Sequence, residues 1–185
     1  MRVCVFCSSK SDFPQETFDQ ATLFCQRLAK NKIGFVYGGG KLGMMGHMAN
    51  AMLAAKGEAI GVMPEGLFPH EVAHSGLTEL IYTADLMERK RKMMELSDAF
   101  VIFPGGVGTL DEALEVITWK TIQRFKKPIV FFNWQGYWDP FWDMMKAYEA
   151  KNVFYPETMA SFILVDDVDT LIKELSIISE GGHHD

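Results

Sequence analysis

Long apolar runs are missing from this chain, and none of those present is long enough to cross a bilayer as a helix, so no membrane partner is expected. Positive charge is in deficit. The 18 Lys and Arg against 24 Asp and Glu leave a formal net charge of −6, which argues against general attraction to nucleic acid or anionic lipid. Any anion must therefore be held locally. Cysteine is scarce and odd in number, at Cys4, Cys7 and Cys25. Cys4 and Cys7 have a redox or metal spacing, but positions three apart in a strand point to opposite faces, so buried and inert thiols are expected. A charged leader with an apolar stretch and a cleavage site is also missing, since Met1-Arg2 runs directly into Val3-Cys4-Val5-Phe6. The cytoplasm is the expected location.

What is present suits a globular fold. Hydrophobic residues make up 48% and charged residues 23% of 185 residues, enough to build a sizeable core. One domain is expected over residues 1–178, followed by a flexible tail at 179–185. Apolar, β-branched runs recur at 3–7, 33–37, 59–63, 80–83, 99–103, 129–132 and 162–165, mostly without alternation. Such runs predict strands buried on both faces. Helical patterns fall between them at 15–30, 43–55, 86–96, 110–124, 138–150 and 168–178. The alternation predicts an α/β fold with a mainly parallel sheet of about seven strands and helices on both faces. Asp12 and Pro14 read as the start of the first helix, with Gly34 and Gly57 following helix ends.

Two glycine-rich loops stand where a run of strand type meets a helix. The more informative is Pro104-Gly105-Gly106-Val107-Gly108-Thr109-Leu110-Asp111-Glu112. Its glycines allow backbone N–H groups to approach an anion, Thr109 is suited to cap the helix, and the open amides of a first turn favour negative charge. Glu112 then falls one turn into the helix. A tight turn that binds nothing would use the same glycines, but another loop earlier in the chain, Tyr37-Gly38-Gly39-Gly40-Lys41-Leu42-Gly43-Met44-Met45-Gly46, argues for a shared crevice. In open parallel sheets ligands bind beyond the carboxyl ends of the strands, where both loops are expected.

A third feature is cationic. Within Glu88-Arg89-Lys90-Arg91-Lys92, consecutive residues cannot all face one way, and Arg89 and Lys90 are the better candidates to turn inward. Arg89 can grip a phosphate or carboxylate through two parallel bonds, while Arg91 and Lys92 read as a solvated face.

Taken in order, Val5-Phe6-Cys7-Ser8-Ser9, Tyr37-Gly38-Gly39-Gly40, Gly61-Val62-Met63-Pro64, Glu88-Arg89-Lys90, Pro104 to Glu112 and Thr118-Trp119 resemble the LONELY GUY family of nucleoside 5'-monophosphate phosphoribohydrolases, many of them labelled lysine decarboxylases. The likeness implies a Rossmann-like domain, a homodimer, and hydrolysis of the bond between a purine-type base and ribose 5-phosphate, with no cofactor and no metal. It implies Arg89 and Glu112 as the catalytic pair. Substrate contacts are expected from Gly105, Gly106, Gly108 and Thr109, helped by Gly39, Gly40 and Lys90, with Ser8, Glu71 and Thr118 as further binding residues. The segment Lys120 to Phe125 departs from the family pattern, which bears on the dimer surface and the base pocket.

Two other classes compete. His70-Glu71-Val72-Ala73-His74 spells the pattern in which two histidines one helical turn apart hold zinc and the glutamate activates water, although Pro69 and Gly76 bracket a segment too short for the usual helix. The same cradle would also suit a non-catalytic carrier of a nucleotide or of molybdenum cofactor, which has no need of a productive acid such as Glu112.

Overall fold

A computed structural model describes residues 1–66 and 72–181 of the chain. Seven parallel strands form one sheet: β1 (Arg2–Phe6), β2 (Gly34–Tyr37), β3 (Ala59–Pro64), β4 (Glu79–Thr83), β5 (Ala99–Ile102), β6 (Ile129–Phe132) and β7 (Ile163–Val165). Their spatial order is β4-β3-β2-β1-β5-β6-β7. The chain thus winds outward from β1 in one direction, returns to the centre at β5, and winds outward again.

Six helices cover the sheet: α1 (Gln15–Lys30), α2 (Gly43–Ala54), α3 (Leu86–Glu95), α4 (Val107–Thr121), α5 (Asp139–Glu149) and α6 (Val168–Gly181). One face packs Val3, Val5 and Phe103 under α1, α2 and α6; Phe103 sits between Phe24 and Phe132 at ring distances of 5.1 and 4.7 Å. The other face packs Cys4, Phe6, Phe100 and Phe131 under α3, α4 and α5. Every residue of β2, β3, β5 and β6 is buried, as unbroken apolar runs require, and each such Phe contributes about 2 kcal/mol by leaving water. The edge strands β4 and β7 retain exposed positions.

Cys4 and Cys7 belong to opposite cores, as the period of a strand dictates, and all three thiols are buried and free. Burial pushes each well above its ordinary pKa.

Several boundaries differ from the sequence reading. Helix α4 begins at Val107 rather than Leu110, with Gly106 as its N-cap. Thr109 does not cap it: the side chain is packed against the Gly105 backbone, where a methyl group would overlap its Oγ1. Pro14, without a side-chain cap, starts α1. Gly34 and Gly57 do follow the ends of α1 and α2, but the left-handed residues after helix ends are Lys32, Lys56, Gln123 and Asn152. Helix α6 continues to Gly181, and the rest of the expected tail lies outside the described residues.

Candidate active site

The sheet changes winding direction between β1 and β5, and the carboxyl ends of those two strands leave a crevice between their diverging connections. A cavity of about 430 Å³ occupies it. Its walls are Cys7 to Lys10 after β1, Gly38 and Met45 around the first glycine loop, Leu86, Arg89 and Lys90 of α3, and Gly106 to Thr109 with Asp111 and Glu112 of α4.

Ser8 joins these walls. Its N–H donates to the Pro104 carbonyl at 3.3 Å, its carbonyl accepts from Met45 N–H at 3.2 Å, and its hydroxyl accepts from Lys10 N–H at 3.0 Å. Both glycine loops are therefore tied to the end of β1 by one buried residue.

Helix α3 starts where Asp85 accepts from Glu88 N–H at 2.8 Å while Glu88 accepts from Ala84 N–H at 2.6 Å. That fixed start turns Arg89 inward, and Arg89 is 8% exposed. Its Nη2 donates to the Gly38 carbonyl at 3.3 Å and stands 3.9 Å from Glu112 Oε1. A methyl group on Gly38 would overlap that same Nη2, so the glycine is needed for the guanidinium to pass. Arg89 Nε is buried and has no hydrogen-bond partner among the described residues. A buried cation with an unsatisfied donor is costly unless a further acceptor arrives, and the crevice is where one can enter.

Lys90 takes a different direction. Its ammonium meets Asp111 Oδ2 at 3.1 Å and Glu115 Oε2 on α4. Burial works against its charge, but hydrogen bonds to Glu115 and Asp111 outweigh that, and its pKa is raised. Lys90 borders the cavity with its charge already matched. Arg91 is exposed, as a solvated face requires.

The second glycine loop presents the start of α4 to the cavity. Gly106 and Gly108 are exposed and have open space where a side chain would stand. The first intrahelical bond of α4 runs from Leu110 N–H to the Gly106 carbonyl, so the amides before Leu110 belong to the unpaired first turn. Glu112, one turn in, carries a carboxylate only 14% exposed. Cys7 in the opposite wall stays a neutral thiol, raised first by burial and then by Glu112.

Some expected residues are elsewhere. Gly39 and Gly40 are buried outside the cavity wall: Gly39 O accepts from His74 N–H at 3.0 Å, and Gly40 forms an antiparallel bridge with Ala73. Gly105 is buried beneath the loop. Thr118 bonds back to the Leu114 carbonyl at 2.8 Å on the outer side of α4 and lines a separate, mostly apolar hollow of about 270 Å³. Glu71 and His70 lie outside the described residues. His74 is on the bridged segment rather than a helix; its Nε2 is bonded to Asn50 Oδ1 at 2.9 Å and its Nδ1 accepts from Gly76 N–H at 3.1 Å. Both ring nitrogens are engaged, which leaves His74 unsuited to the zinc reading. Ser9, Lys10, Met45 and Leu86 line the cavity without having been singled out; the first two follow directly from the end of β1, a position that the switch-point rule marks.

A larger hollow, about 650 Å³, opens at the amino ends of the strands. There Arg2 already grips Glu58 through Nε and Nη2 at 2.9 Å each, and the carboxyl-terminal, negative ends of α1 and α2 border it. Neither feature favours an anion.

Fold and crevice together define a Rossmann-like α/β protein whose candidate site lies at the switch point of a parallel sheet. Residues 45–175 match the family described as possible lysine decarboxylase. The cytokinin riboside 5'-monophosphate phosphoribohydrolase of Rhodococcoides fascians is 36% identical, over 94% of this chain and 88% of its own length. A probable enzyme of the same name from Oryza sativa subsp. japonica is 37% identical, over 94% and 77%. The chain belongs to this family, the LONELY GUY family. Among solved structures, the molybdenum cofactor carrier protein from Chlamydomonas reinhardtii matches with a TM-score of 0.72 and 21% identity, over 97% of this chain and 98% of that one. The molybdenum cofactor binding protein from Rippkaea orientalis matches with a TM-score of 0.70 and 18% identity, over 96% of each chain. At those identities the likeness concerns the fold alone.

Proposed function

We propose that the protein hydrolyses the N-glycosidic bond of purine-type nucleoside 5'-monophosphates, cytokinin or adenosine, releasing free base and ribose 5-phosphate. The observation that carries this reading is the pairing of Arg89 and Glu112 across a crevice whose floor is the open first turn of α4. Relatives of more than a third identity bear the name of that activity.

The 5'-phosphate is held by the amides of Gly106, Gly108 and Thr109, with Arg89 completing the grip through its unsatisfied Nε. The ribose then lies over Glu112. As the bond to the base lengthens, positive charge develops on the ribose ring; the Glu112 carboxylate stabilises it and orients or deprotonates the attacking water. Arg89 is too weak an acid for routine proton donation and serves to position the substrate. Ser8 acts by holding the loops together, and Lys90 by anchoring α4.

The protein is further proposed to act as a homodimer through α4, where Leu114, Trp119 and Ile122 are exposed beside Val153 and Tyr155. A cytoplasmic location suits three unpaired thiols. Among the described residues no helix is long and apolar enough to cross a membrane.

The test is to incubate the protein with nucleoside monophosphates, nucleosides and lysine, and to quantify free base, ribose 5-phosphate and amine. Base should appear from the monophosphates alone. Glu112→Gln should lower kcat by about 10³-fold, the range of a lost general base, with Arg89→Ala acting mainly on KM. Binding of a pterin with every nucleotide left intact would replace this reading with that of a carrier.

A further inference from the structure

A tyrosine outside the crevice reaches the phosphate loop. Strand β6 ends at Phe132, and Asn133 organises the turn after it. Its Nδ2 donates to Asp139 Oδ1 at 2.9 Å, and its Oδ1 accepts from Trp138 N–H at 2.7 Å. Gln135 and Gly136 adopt positive φ, 53° and 73°, which reverses the chain within one short turn. A methyl group at Gly136 would crowd Asp139, so the turn is compact as well as sharp. Tyr137 leaves this turn with its ring between Trp138, edge-on at 5.0 Å, and Phe13 of the β1–α1 connection at 6.0 Å. Its hydroxyl donates to the Gly105 carbonyl at 2.9 Å.

We infer that Tyr137 is a positioning residue for anion binding: by holding the Gly105 carbonyl it aims the Gly106 N–H into the crevice. The step rests on the reading of Gly106 as a phosphate contact. The carbonyl of Gly105 and the N–H of Gly106 belong to one planar peptide unit and point in opposite directions. A bond that fixes the first fixes the second. Gly105 and Gly106 carry no side chains of their own to restrain that plane, and glycine is the residue whose flanking torsions are freest. Thr109 restrains Gly105 from below, where its Oγ1 is packed against the glycine, and Tyr137 supplies the directional contact. Tyr137 is not part of the cavity wall, so it acts through the loop rather than on a ligand.

Tyr137→Phe removes the hydroxyl and keeps the ring packing. The probes are AMP as substrate, with inorganic phosphate and adenosine as inhibitors. Expected is a rise of about fivefold in KM for AMP and in Ki for phosphate, the usual effect of one neutral hydrogen bond, with kcat and the adenosine Ki unchanged. A merely structural hydroxyl would weaken AMP and adenosine alike, and that outcome, or an unchanged phosphate Ki, overturns the inference. Should the wild-type protein release no base, direct calorimetric titration with phosphate still compares the two forms. Equal affinity then sinks the role of Tyr137, whereas a fivefold loss upholds it even as the hydrolase reading fails.

Discussion

The two glycine loops look alike in sequence and differ in what surrounds their glycines. In the first, the missing side chains are filled by the protein itself: Arg89 passes Gly38, the Ser9 backbone abuts Gly43, and the Lys41 carbonyl abuts Gly46. In the second, Gly106 and Gly108 face open space. A glycine crowded by its own chain is there for packing. One that nothing crowds, at the mouth of a crevice, leaves open the room that the proposed phosphate would use. The dipeptide Arg89-Lys90 is shared between them, Arg89 reaching the first loop and Lys90 the helix that follows the second.

Gly46→Ala should produce the largest change, because the added methyl overlaps a backbone carbonyl that cannot swing aside. A loss of about 3 kcal/mol is expected, typical of overpacking, read as a fall of about 10 °C in Tm. A variant that melts with the wild type would mean that the first loop has slack, and the contrast would be lost.

Gly108→Ala should move stability and function in opposite directions. The position is helical and uncrowded, so alanine should stabilise by about 0.5 kcal/mol through helix propensity and a less free unfolded chain. On the proposed reading the same methyl would intrude on the 5'-phosphate, and KM for AMP should rise about tenfold, equivalent to 1.4 kcal/mol. Thermal melts and initial rates on one preparation decide it. An unchanged KM would mean that the open glycine serves no ligand.

The strands were readable because their apolar runs are local and nearly continuous, and the approach of Arg89 and Glu112 to one crevice because a glycine loop and a family resemblance point to them. What escaped depends on contacts between distant parts of the chain. Gly38, not Gly39, borders the crevice, and there it meets a guanidinium 51 residues away. Gly39 and Gly40 looked like anion donors, but both are buried outside the cavity wall, with the Gly39 carbonyl accepting from His74 N–H and the Gly40 carbonyl from the Tyr37 hydroxyl. The start of α4 lies three residues before its helical pattern predicts, because Gly106 and not a threonine is the N-cap, whereas α1 ends at Lys30 as expected and α2 within one residue of its expected end, each followed by a lysine in the left-handed conformation that glycine usually takes. Tyr137 carried no signal, since nothing near it in the chain announces a partner at Gly105.

The smallest effect is expected at Lys90, where the division of labour within Arg89-Lys90 can be tested. If its ammonium is a tether to α4 and not an anion ligand, Lys90→Met should leave KM for AMP within about twofold of wild type, less than one neutral hydrogen bond, while lowering stability by about 1 kcal/mol at neutral pH. The pH dependence adds a sign. Because the folded pKa of Lys90 is raised by Glu115 and Asp111 against the opposing effect of burial, its contribution is complete below the ordinary lysine value of about 10.4 and fades as pH rises through the folded value. Urea unfolding at pH 8 should therefore separate variant from wild type, and at strongly alkaline pH the two curves should converge. A rise in KM matching that of Gly108→Ala would instead put the Lys90 ammonium on the phosphate, and the second loop would no longer be served by backbone and Arg89 alone.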